Sequence, residues 1–100
     1  MIIIKVQYTV SAEYAQTNQE NIKTVMSDLR ALDNSDIRYS AFLEEDGVSF
    51  MHFAMYPDEA TLKIATDLPS FRKFQNELKA SVPVKPPEAE HYSLVASSYL

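Results

Sequence analysis

The sequence predicts an α+β fold of ferredoxin-like type, β-α-β-β-α-β, with a four-stranded antiparallel sheet carrying both helices on one face. Three features predict it: β-rich runs near both ends, an Asp46-Gly47 pair between two alternating segments, and a helical apolar stripe on each side of that hairpin. Two crossovers around a central hairpin produce this arrangement.

Residues 2–10, IIIKVQYTV, are rich in β-branched and aromatic types and read as the first strand. Ser11 offers an N-cap oxygen to the helix that follows. From Ala12 to about Leu32, Tyr14, Ala15, Ile22, Val25, Met26, Leu29 and Leu32 recur at helical spacing, diluted early by Gln16-Thr17-Asn18-Gln19. Residues 37–44 and 48–56 alternate and flank Asp46-Gly47, the pairing a type I′ turn prefers. Asp58 starts a short helix near 58–66. Pro69 sits well in the first turn of a second, whose stripe is Phe71, Phe74, Leu78 and Val82. Pro83, Pro86 and Pro87 predict a stiff extended connection, and His91 to Leu100 a last strand.

Composition narrows the function classes. A hydrophobic fraction of 46% with a single glycine describes a globular chain, and 100 residues suit one domain spanning 1–100. A net charge of −5 with scattered basic residues argues against nucleic acid or an anionic membrane as partner. With no cysteine, thiol chemistry is excluded. The amino terminus does not read as a signal peptide, so a cytoplasmic protein is expected. A single glycine rules out G-x-G-x-x-G, P-loop and nucleophile-elbow motifs, so no cofactor is expected from them. His52 and His91 form no ligand pattern, so no metal site is expected either.

The helices must cover the more apolar set of each strand. Those sets are Ile2, Ile4, Val6, Tyr8 and Val10; then Ile37, Tyr39, Ala41 and Leu43; then Met51, Phe53 and Met55. The opposite face would carry Lys5, Gln7, Thr9, Arg38, Ser40, Phe42, Phe50, His52 and Tyr56. Such a mixed surface suits neither open water nor a dry core. Packing against a second copy across a partly wet cavity reconciles both, so a homodimer is expected.

The chain resembles the dimeric α/β-barrel superfamily, in particular its antibiotic-biosynthesis monooxygenase-like branch. The resemblance lies in the order of elements and in the stretch Tyr56-Pro57-Asp58-Glu59-Ala60-Thr61-Leu62 through Asp67-Leu68-Pro69-Ser70-Phe71. There the family commonly shows W-x-S-x-x-x-L, a histidine, then S-P-H-F. Tyr56, Asp58, Ala65 and Ser70 depart from that pattern, and Ala54 stands where a glutamate is common. The resemblance implies a cofactor-independent monooxygenase acting on a small phenolic or polyketide-like substrate in a sheet-face cavity. The departures leave a non-catalytic homodimer as the alternative, so whether the chain is an enzyme stays open.

Within that frame His52 is the candidate base, its ordinary pKa lying near neutrality. Arg38, Gln7, Tyr56, Ser40 and Lys5 are the candidate residues for holding a small aromatic ligand. Each has a plainer reading. His52 would be a hydrogen-bonded interface histidine; Arg38 and Lys5 would pair with carboxylates across the dimer or reach the rim. Tyr8 and Tyr39 read as core residues with hydroxyls at the edge.

Overall fold

The computed structural model describes residues 1–99. Its elements are β1 (Ile2–Thr9), α1 (Ala15–Ala31), β2 (Arg38–Leu43), β3 (Ser49–Tyr56), α2 (Glu59–Thr66), α3 (Pro69–Ala80) and β4 (Lys85–Tyr92). The sheet is fully antiparallel in the order β2-β3-β1-β4, and the three helices lie on one face of it. This is the predicted ferredoxin-like fold, its second helical layer split at Asp67-Leu68-Pro69.

Local chemistry explains the boundaries. Ser11 Oγ accepts from the Tyr14 amide at 3.3 Å, bracing the turn before α1 rather than capping it directly. The Asp58 carboxylate accepts from the Thr61 amide at 2.8 Å, which caps α2 and holds the Asp58 pKa below the usual carboxylate range. In the hairpin the Gly47 amide closes a turn on the Glu44 carbonyl, with Gly47 at φ 75. Asp46 then accepts from the Val48 and Ser49 amides, so the turn is longer than a two-residue one.

The core lies between sheet and helices. Ala15, Ile22, Val25 and Leu29 of α1, and Phe71, Phe74 and Leu78 of α3, meet Tyr8, Val10, Phe50, Ala54 and Tyr56. Val82 does not extend the α3 stripe; it lies past the helix, exposed, at a left-handed φ of 52.

Two expectations are corrected. The last strand is Lys85–Tyr92, not 91–100. Only His91 and Tyr92 of the expected segment pair with β1, and Leu100 lies outside the described residues. Pro86 and Pro87 belong to this strand. They fall at the register shift between Gln7 and Thr9, on an edge strand where missing amide donors are tolerated. The second correction concerns β3. Its helix-facing set is Phe50, His52, Ala54 and Tyr56, while Met51, Phe53 and Met55 face away. Pairing decides this: Ala41 lies opposite His52 and Tyr39 opposite Ala54, so β3 must present those residues where β2 presents Tyr39 and Ala41.

Candidate functional site

That inversion splits the expected constellation. His52 and Tyr56 sit among the helices, whereas Lys5, Gln7, Arg38 and Ser40 follow the opposite face of the sheet. On that face Lys5 pairs within the chain with Glu90 at 3.5 Å and lies 5.9 Å from the centre of the Tyr92 ring. Arg38 stacks over Tyr99 at 4.7 Å, and the Tyr99 hydroxyl donates to Met55 Sδ. Gln7 and Ser40 are exposed. No candidate on that face reaches His52.

The structure instead gathers a polar cluster under the helices. His52 is 4% exposed. Its Nε2 lies 2.8 Å from the Tyr8 hydroxyl and its Nδ1 2.7 Å from the Tyr39 hydroxyl. Asn18, fully buried on α1, donates from Nδ2 to the Tyr8 hydroxyl at 2.8 Å. Four elements therefore contribute one chain of hydrogen bonds: α1, β1, β3 and β2. Rings enclose it. Phe74 stacks on the imidazole at 5.4 Å, Phe50 stacks on Tyr8 at 5.4 Å, and Phe71 meets Tyr39 edge-on at 6.1 Å.

Burial sets the protonation states. It depresses the His52 pKa to about 4, so the ring is neutral near pH 7. Burial also raises the Tyr8 and Tyr39 phenols well above their ordinary value, and Tyr56 to about 12. The cluster thus holds protons without net charge. A neutral imidazole between two phenols can accept at one nitrogen and donate at the other, which orients both hydroxyls.

Space lies beside the cluster. A groove of about 660 Å³ opens between the end of α1 and β2, walled by Met26, Leu29, Arg30, Asp33, Tyr39 and Phe42. Ser40 is the one candidate from the outer strand face that borders it. A separate slot bounded by Ile22, Val25, Met26, Tyr39, His52 and Phe74 has no room for a water molecule. Met26 and Tyr39 wall both spaces, so Tyr39 links the buried histidine to the open groove. Among the described residues no three His, Cys, Asp or Glu side chains come together as a metal site, and no helix is long and apolar enough to cross a membrane.

Asn18 had no place in the sequence-based site, although its position carries a signal. It occupies the stripe Ala15, Asn18, Ile22, Val25, Leu29, where an amide stands in a row of otherwise apolar core residues. A polar group in such a row needs a partner.

No protein-family model matches the sequence, and no curated protein is detectably similar to it. Solved structures resemble it closely in shape. An antibiotic biosynthesis monooxygenase superposes with a TM-score of 0.80 at 15% identity, over 96% of this chain and 100% of the other. A candidate enzyme of that class from Nitrosomonas europaea gives 0.79 at 10% identity, over 96% and 100%. SnoaB, a cofactor-independent oxygenase from Streptomyces nogalater, gives 0.65 at 14% identity, over 99% and 97%. The fold is that of the antibiotic-biosynthesis-monooxygenase-like proteins.

Proposed function

We propose that this chain is a homodimeric α/β-barrel protein that binds a small phenolic or polyketide-like molecule in the groove beside Tyr39. There it supports oxidation of that molecule by dioxygen without a cofactor. The observation that carries the reading is the neutral His52 clamped between Tyr8 and Tyr39, with Tyr39 bordering a groove large enough for a small aromatic compound. An electron-rich phenol that has lost its proton to water reduces dioxygen by itself, keeping one oxygen atom as a new carbonyl while the other leaves as water. The protein's task is then to bind the ring, hold the anionic oxygen and limit water. Met26, Leu29 and Phe42 offer apolar walls, and Tyr39 a polar contact.

In this reading His52 acts through Tyr39 and is not a free base. Both its nitrogens are engaged, and a pKa of about 4 makes it a poor proton acceptor. Lys5, Gln7 and Arg38 belong to the face offered to the second copy, beside the exposed Phe42 and Tyr92. Oxygen uptake with a panel of phenols and anthrones, comparing wild type with Tyr39→Phe and His52→Ala, tests the chemistry. Rates that fall in both variants support it, and equal rates in all three proteins overturn it. A monomeric mass in solution would remove the dimer.

One observation favours a second reading, a homodimer without catalysis. The slot around His52 admits no water, as expected of a finished core. Absence of both oxygen uptake and ligand binding across the panel would select it.

A further inference from the structure

We infer that Asn18 fixes the direction of the hydrogen-bond chain, so that Tyr39 presents a proton donor and the groove selects ligands carrying an acceptor oxygen, such as a ketone or a phenolate. This rests on the groove being a ligand site and adds the chemistry it reads.

The order of protons follows link by link. Asn18 Nδ2 donates to the Tyr8 oxygen. In the observed orientation Oδ1 is the Asn18 atom left without a partner, and an orphaned acceptor is better tolerated in a core than an orphaned NH₂. With its oxygen accepting from Asn18, Tyr8 has one proton to give, and His52 Nε2 at 2.8 Å is the acceptor beside it. A neutral imidazole that accepts at Nε2 carries its proton on Nδ1. That N–H donates to the Tyr39 oxygen at 2.7 Å. The Tyr39 proton is therefore left pointing away from His52, and no hydrogen bond from it to an acceptor exists among the described residues. A half-buried hydroxyl proton without an acceptor is costly. Tyr39 is one of the residues walling the groove, and a ligand oxygen bound there is the acceptor we assign to that proton.

The opposite order would make Tyr39 donate to Nδ1 and offer only lone pairs to the groove. Nothing in that order would use the Asn18 amide as a donor to Tyr8 without stranding the Tyr8 proton. Asn18 is thus a positioning residue: it touches no ligand, yet it decides whether Tyr39 gives or takes a hydrogen bond three links away.

Nitrogen NMR of the histidine rings in the intact protein near pH 7 reads the order directly. The expected result is His52 protonated at Nδ1 and bare at Nε2, with population moving to Nε2–H in Asn18→Leu. Protonation at Nε2 in the wild type overturns the inference, and that measurement needs no variant to fold. A tautomer unmoved in a folded Asn18→Leu protein removes Asn18 from the role. Ligand preference is measured with 1-tetralone, which carries one acceptor oxygen, against tetralin, which has none. Tetralone should bind about ten-fold more tightly to wild type, with the advantage lost in Tyr39→Phe. Equal binding of the two overturns the acceptor preference while the groove reading stands. Binding of neither overturns the groove reading, and the tautomer alone then judges the proton order.

Discussion

The two faces of this sheet are built from the same strands but obey different rules. On the helix side Phe50, His52, Ala54 and Tyr56 are all buried, and the one imidazole there has a partner on each nitrogen. On the other side Met51, Phe53 and Met55 share space with Lys5, Gln7 and Arg38, and pairing is by surface contacts such as Lys5 with Glu90. β3 serves both, alternating residue by residue. The difference shows that polarity alone does not tell which side of a strand is inside. A histidine is compatible with a core when neighbouring strands and a helix supply its partners. Methionine and phenylalanine are compatible with the face away from the helices, where Met51 and Phe53 stay half-buried and Met55 is buried next to Tyr99.

The sharpest way to break this comparison is to truncate one phenylalanine on each face. Phe50→Ala should cost about 3–5 kcal/mol in chemical denaturation, because it empties part of a packed core. Phe53→Ala should cost far less in dilute solution, with a penalty that grows with protein concentration if this face pairs with a copy. Equal, concentration-independent losses would mean that the faces are not distinct.

Acid offers the next largest effect. The His52 pKa falls from 6.5 in the unfolded chain to about 4 in the fold, so the unfolded state binds the extra proton first. The contribution is complete above about pH 6.5, declines as pH falls, and is lost once pH passes below about 4. It is worth roughly 3 kcal/mol across that window. The difference between wild type and His52→Gln in urea midpoints against pH checks it. Parallel curves would place the histidine in a wetter setting.

Tyr39→Phe should lose about 1–3 kcal/mol by leaving His52 Nδ1 unpaired in the core. Thermal denaturation beside Tyr39→Leu, which also removes the ring, separates the hydroxyl from the packing. The smallest effect belongs to the outer face. Tyr99→Ala removes the ring under Arg38 and should cost about 0.5–1 kcal/mol. A larger loss would show that residues near the carboxyl end hold that face together.

Much of the architecture was legible because local chemistry and pattern agree there. Asp46-Gly47, Asp58 and Pro69 mark the turn and helix starts, and α3 and the second half of α1 carry apolar stripes at helical spacing. β4 was illegible because every residue in Lys85–Tyr92 is exposed and two are proline, so no alternation marks it. The stretch after it, with Leu94, Val95 and Tyr99, looks more strand-like while forming none. The facing of β3 is hidden for a related reason: Met51, Phe53 and Met55 outweigh Phe50, His52 and Tyr56 in hydrophobicity, so composition alone points the wrong set at the helices. The Asp46-Gly47 hairpin already implied the contrary: a turn centred between those residues sets odd positions of β2 against even positions of β3, and so Ala41 against His52. Recognition of the Asn18–Tyr8 bond lay further off, since nothing in the spacing of two residues on different elements announces a hydrogen bond.

The prolines of β4 have a consequence for how such molecules meet one another. Pro86 and Pro87 interrupt one rim of the sheet with a kink and two absent amide hydrogens, and Glu88 and Glu90 add negative charge beside them. A foreign strand trying to zip onto that rim would find gaps and repulsion. The rim formed by β2 carries charge at Arg38 and just past Leu43 but no proline, so unwanted strand-to-strand growth should start there and stop after one partner.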